Sequence, residues 1–181
     1  MIRQDLLRMA LLPAAALVAP AYAVDYLTVT QAQAVLFPDA TAFADQAVTL
    51  TPAQRKQIKA LSGVAQRAER QAVWKVAKND AFLGWFVVDE VVGKHEFITY
   101  ALAISPEGSV LGVEIMSYRE THGGEVRDAK WRARFVGKTI HDPLRLDQDI
   151  PNISGATLSS RNVANGVKRL LALQQVALPH E

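Results

Sequence analysis

Phe97-Ile98-Thr99-Tyr100-Ala101-Leu102-Ala103-Ile104 runs into Ser105-Pro106-Glu107-Gly108, and Val110 to Tyr118 follows. Two apolar runs of strand length flank a tetrapeptide with proline and glycine where a tight turn wants them. The stretch reads as a β-hairpin. Neither run alternates cleanly between apolar and polar residues, which implies burial on both faces. Upstream, Val73-Trp74-Lys75-Val76 and Leu83 to Val88 carry the β-branched and aromatic content of further strands. The middle of the chain therefore reads as an antiparallel sheet with helices packed on one side, an α+β domain.

Outward from the sheet the signals are helical. Thr30 can cap a short helix, Gln31 to Leu36, that stops before Pro38. Thr51-Pro52 opens a clearer one, a cap followed by proline at the first helical position. Ile58, Leu61 and Val64 supply its apolar face, and Gly63 falls near its end. After the sheet, Arg127 to Phe135 reads as a helix with Asp128 in its first turn. Trp131 and Phe135, four apart, share a face of it and read as core. Gly137 then ends that helix, and Arg161 to Leu173 is the last apolar-periodic segment.

The N-terminus has the form of a secretory signal. Arg3 and Arg8 precede the apolar run Met9 to Val18, and Ala21-Tyr22-Ala23 fits a small-x-small cleavage site. The run is short and broken by Pro13, which argues against a membrane span. The expected organisation is a signal peptide at 1–23, a helical segment at 24–72 and the sheet-containing domain at 73–178. The expected location is the periplasm, with membrane association as the alternative.

Composition removes several classes of function. The chain has 181 residues and no cysteine, which excludes iron–sulfur clusters, c-type haem attachment and thiol redox chemistry. A formal charge of +2 makes no case for nucleic acid. His95, His122, His141 and His180 show no metal-ligand spacing, and no G-x-S-x-G hydrolase motif occurs. If this protein moves electrons, it must borrow a different cofactor.

Two stretches carry candidate chemistry. Ser154-Gly155-Ala156-Thr157-Leu158-Ser159-Ser160 consists of small residues and hydroxyls that run into a helix. Small residues allow close backbone approach, and the unpaired N–H groups and dipole of a helix start favour a phosphate. The competing reading is an ordinary turn, with Ser159 or Ser160 as helix cap. The second stretch, Glu120-Thr121-His122-Gly123, is a strand-end glycine loop. Glu120 can accept a hydrogen bond from a ligand hydroxyl, order the loop, or pair with Arg119 or Arg127. Lys138 can reach a phosphate or stay a surface lysine.

Ser154-Gly155-Ala156-Thr157-Leu158-Ser159 resembles the [ST]-G-A-T-x-[ST] flavinylation motif of the FMN-binding domain family. That family includes flavin subunits of sodium-pumping NADH:quinone reductases and Rnf-type complexes. Glu120-Thr121-His122-Gly123 resembles its E-T-x-G loop, with His122 where many members have proline, and Pro151 stands where many have aspartate. The resemblance implies FMN esterified through its phosphate to Thr157 by a flavin transferase. Ser154, Gly155, Ala156, Leu158, Ser159, Glu120, Thr121, His122, Gly123 and Lys138 would then be cofactor-binding. It implies an exported electron carrier, rather than a stand-alone enzyme, working between a membrane or soluble redox donor and an acceptor. The alternative is a flavin-bearing sensory or regulatory domain that controls a redox partner.

Overall fold

The computed structural model describes residues 24–120 and 123–179. The expected signal peptide at 1–23, Thr121 and His122 lie outside the described residues. In chain order the elements are β1 (Val24–Asp25), α1 (Val29–Leu36), β2 (Ala42–Asp45), β3 (Val48–Thr49), α2 (Pro52–Ser62), β4 (Arg70–Lys78), β5 (Ala81–Val92), β6 (Phe97–Ile104), β7 (Val110–Tyr118), α3 (Ala129–Arg132) and α4 (Thr157–Ala177). Short 3-10 turns flank α3, at Gly124–Arg127 and Ala133–Phe135.

The strands form one antiparallel sheet in the order β1-β7-β6-β5-β4-β2, with β3 paired to β4 beside β2. The hairpin expected from Phe97 to Tyr118 is present, with Ile104 opposite Val110. Its turn is closed by the Gly108 amide donating to the Ser105 carbonyl at 3.0 Å. Segment 24–72, read as helical, also supplies β1, β2 and β3 to this sheet.

Helices cover both faces, not one. Along β6, Ile98, Tyr100, Leu102 and Ile104 point into a core shared with Ile58 of α2 and with Val163, Val167 and Leu170 of α4. The alternate residues Ala101 and Ala103 point the other way, against Ala32 of α1, Phe37, Phe86 and Met116. Small side chains on that face let α1 settle against the sheet. The poor alternation of β6 and β7 is the sequence trace of this double burial.

The caps explain where helices begin. α1 starts at Thr28, not Thr30, because Thr28 and Gln31 make a reciprocal capping box. α2 starts at Thr51 with Pro52 in its first turn and ends at Gly63, as expected. Of its apolar positions only Ile58 is buried; Val64 is half-buried and Leu61 is exposed. The single helix expected over Arg127 to Phe135 is interrupted. Asp128 takes φ −57° and ψ 125° and accepts hydrogen bonds from the Lys130 and Trp131 amides, so it starts α3 rather than continuing a helix. Trp131 and Phe135 are core, meeting edge to face at 5.0 Å.

α4 begins at Thr157, four residues ahead of the expected Arg161. It is tied to the sheet along its length. The Asn162 side chain donates to the Val92 carbonyl at 2.6 Å. Further along, Arg169 makes a buried ion pair with Asp89 of β5, whose carboxylate also accepts from the Tyr100 hydroxyl at 2.6 Å. No helix of the described residues is long and apolar enough to cross a membrane.

Candidate functional site

The start of α4, the end of β7 and the β5–β6 turn converge on an open cleft of about 1150 Å³. One wall is the run Ser154 to Ser159. Facing it are Tyr118, Glu120, Gly123 and Gly124, with Lys94 and His95 from the β5–β6 turn. Tyr26, Glu125 and Arg127 complete the rim.

The two candidate stretches touch. Gly123 has φ 91°, and a Cβ there would lie 2.8 Å from the Ala156 Cβ and 2.5 Å from the Tyr118 hydroxyl. Only glycine permits both that backbone turn and that approach. The Tyr118 hydroxyl in turn lies 3.2 Å from Ser159 Oγ. Burial raises the Tyr118 pKa, the Ser159 hydrogen bond opposes the rise, and the carboxylates of Glu120 and Glu125 add to it. The phenol therefore stays protonated.

The hydroxyls of the motif separate by environment. Ser159 is buried against Tyr118, and Ser160 is fully buried with its Oγ donating to the Ala156 carbonyl at 2.7 Å. Thr157 is the first residue of α4, is half-buried, and its hydroxyl makes no hydrogen bond among the described residues. Ser154 is exposed in the preceding loop. Neither serine is the helix cap: Ala156 holds that position, and its methyl group offers no acceptor. The first amides of α4 therefore face the cleft end without a side-chain acceptor, an arrangement that favours an anion.

Glu120 orders the loop from below. Its Oε1 accepts from three successive backbone amides of the β5–β6 turn: Lys94, His95 at 2.5 Å and Glu96 at 3.0 Å. Burial alone would raise its pKa, but these donors hold the carboxyl below the usual range. It makes no ion pair with Arg119 or Arg127 among the described residues. Arg127 instead lies over the Tyr26 ring at 3.4 Å, which carries its guanidinium to the rim.

Of the residues expected from sequence, Ser154, Gly155, Ala156, Thr157, Leu158, Ser159, Glu120 and Gly123 all line this cleft. Lys138 does not. Its ammonium is committed to Asp149 at 3.2 Å and Asp142 at 3.6 Å, and the Asp149 contact raises its pKa. Asp149 also accepts from the Leu144 and Arg145 amides, so this acid ahead of the motif organises a loop. Tyr26, Lys94, His95, Tyr118, Gly124, Glu125 and Arg127 were not expected. Tyr118 and Gly124 flank the glycine loop and could have been taken from it. Tyr26 reaches the site only because β1 pairs with β7.

A cleft with a helix start, two cations, a histidine and an exposed leucine at 44 % can take an anionic, partly flat ligand. Residues 93–172 match the family described as FMN-binding domain. This segment is an FMN-binding domain. It includes both stretches that form the cleft, and its cofactor is FMN. The residues fit that cofactor. The uncapped helix start suits its phosphate, the close Gly123–Ala156 approach leaves only small groups at that point of the wall, and Leu158 offers an apolar surface to a ring.

The chain is 28 % identical over 145 residues to the NqrC component of the Na(+)-translocating NADH-quinone reductase of Vibrio anguillarum, covering 69 % of this chain and 57 % of that one. It is 29 % identical over 132 residues to the corresponding component from Neisseria meningitidis serogroup B, covering 62 % and 51 %. It thus spans just over half the length of these relatives. The crystal structure of Shewanella oneidensis NqrC aligns with a TM-score of 0.48 at 19 % identity, covering 61 % of this chain and 59 % of that one.

Proposed function

We propose that this protein is an exported electron-transfer flavoprotein in which Thr157 carries FMN through a phosphoester. The observation that supports it is the difference between the hydroxyls. Ser159 and Ser160 are buried and engaged, whereas Thr157 lies half-buried in the cleft wall with its Oγ uncommitted, at a helix start suited to phosphate.

A threonine hydroxyl has little nucleophilicity of its own, so a separate transferase attaches the group. Thr157 Oγ would hold the FMN phosphate as an ester, its proton going to a base of the transferase. The α4 amides would hold the negative charge of the FMN phosphate, and Lys94 and Arg127 would add positive charge at the rim.

Once bound, FMN supplies one- and two-electron transfer, and the protein tunes it through charge and hydrogen bonds. The Glu120 carboxylate fixes the β5–β6 turn that presents Lys94 and His95, and Gly123 keeps the neighbouring wall bare. The relatives are subunits of an NADH-quinone reductase, which supports a redox protein as donor or acceptor in a membrane complex. Covalent attachment suits an exported carrier, because FMN lost outside the cytoplasm is hard to replace.

Co-expression with a flavin transferase should add one FMN-phosphoryl mass, and the yellow colour should survive denaturation. Thr157→Ala should abolish the adduct, while Ser159→Ala should at most slow its formation. An adduct on a serine, or on Thr157→Ala protein, would overturn the assignment. N-terminal sequencing of the mature protein should begin at or near Val24; retention of Met1 would overturn export.

A further inference from the structure

A second cleft, of about 540 Å³, has Val92 and Phe97 at the base of the β5–β6 turn among its walls. Most of its walls come from residues before position 93, outside the FMN-binding match. We propose that this cleft binds a small organic anion with a flat apolar body, at a site separate from the flavin.

Its floor is polar, buried and already ordered. Arg169 is 6 % exposed, Gln71 3 % and Asp89 8 %. Arg169 spends one N–H on Gln66 and one on Asp89, and Gln71 donates to the Val88 carbonyl at 2.6 Å. Arg169 lines the cleft and contributes a fixed positive charge to it. Asn165, half-buried one turn earlier on α4, makes no hydrogen bond among the described residues, and the Asn162 amide uses only its nitrogen. These are convergent polar groups with unspent capacity.

The charge balance favours an anion. Three arginines, Arg67, Arg70 and Arg169, face two carboxylates, and both carboxylates are engaged. Asp89 is held by Arg169 and Tyr100, and Glu90 accepts from the Thr99 hydroxyl at 3.0 Å. Arg67 and Arg70 are exposed at the rim and make no ion pair among the described residues. The apolar part of the ligand is set by Phe97, 54 % exposed, and its cross-strand neighbour Val92, 41 % exposed. Volume, apolar walls and a few aimed polar groups together match the usual form of a small-molecule site, of roughly 300–1,000 Å³. The Asp89–Arg169 pair keeps the floor rigid, so little ordering is needed on binding.

The proposal does not rest on flavin attachment, and its test separates the two. The full chain carrying Thr157→Ala is titrated with 2-naphthoate. Binding is followed by calorimetry and by the side-chain amide resonances of Asn165. The expected dissociation constant is about 1 mM or tighter, with the Asn165 signals shifted. Asn165→Leu, and Arg67→Gln with Arg70→Gln, should each weaken binding about tenfold while leaving the unfolding curve in place. The uncharged 2-naphthalenemethanol should bind about tenfold more weakly. Flavinylated wild type should bind 2-naphthoate as tightly as Thr157→Ala. Absence of binding at ~10 mM, full affinity in the variants, or equal affinity for the alcohol would overturn the anion site. Loss of binding on flavinylation would assign the cleft to the flavin and overturn its separateness.

Discussion

Gly123→Ala probes the contact on which the site turns. At φ 91° a non-glycine residue pays about 1–2 kcal/mol for left-handed backbone. The new Cβ would sit 2.5 Å from the Tyr118 hydroxyl and 2.8 Å from the Ala156 Cβ, both far inside contact distance. Moving the phenol breaks its bond to Ser159, worth about 1 kcal/mol. Overpacking against Ala156 adds roughly 1 kcal/mol or more. The expected loss is about 3–4 kcal/mol, or roughly 6–16 °C in melting temperature for a domain of this size. Gly155→Ala is the control. Its φ is 80°, but a Cβ there meets nothing within 4 Å, so it carries the backbone term alone. Urea unfolding of the two variants therefore isolates the contact energy as their difference. Because Ala156 adjoins Thr157, Gly123→Ala should also slow flavin attachment, read by intact mass over time. Equal stability of Gly123→Ala and Gly155→Ala, with unchanged attachment, would refute the reasoning.

Three further outcomes follow from the same geometry. Arg169→Met strands the Asp89 carboxylate in a buried site and should cost about 3–5 kcal/mol in urea unfolding. The Glu120 carboxyl is held below its ordinary value of 4.5, so its stabilisation is present above that pH and is lost as pH falls through the lower folded value. The stability gap between wild type and Glu120→Gln should thus be widest above pH 4.5 and close on further acidification, seen by pH-resolved denaturation. Lys138→Gln should leave flavin attachment unchanged, since that ammonium is bound to Asp149 and Asp142; a slowed attachment would return Lys138 to the site.

How much was legible depended on distance along the chain. Strand limits at Phe97–Ile104 and Val110–Tyr118 coincide with the expectation, because period and turn chemistry are local. Caps were nearly so. Thr51 caps α2 as expected, while Thr28 displaces Thr30 because Gln31 completes its box. Asp128 lies inside the helix that the pattern predicts, although its short carboxylate is as apt to cap the backbone as to continue it. The apolar pattern puts the start of α4 too late because Thr157, Ser159 and Ser160 look like loop residues. In the folded chain Ser160 satisfies itself on the Ala156 carbonyl, and Ser159 on Tyr118, so the helix extends through them.

By itself the sequence determined an α+β domain, the doubly buried hairpin and the two stretches that meet in the cleft. Those properties are written in local periodicity, turn residues and a contiguous motif. Only the tertiary structure decided that α1 covers the second face, that Lys138 is spent on Asp149, and that Glu120 anchors the β5–β6 turn. The structure alone also brought Tyr26 beside the motif and built the Arg169–Asp89 floor across 80 residues of chain. Each of these depends on which partner a side chain finds after strands far apart in sequence have paired, and no local pattern encodes that choice.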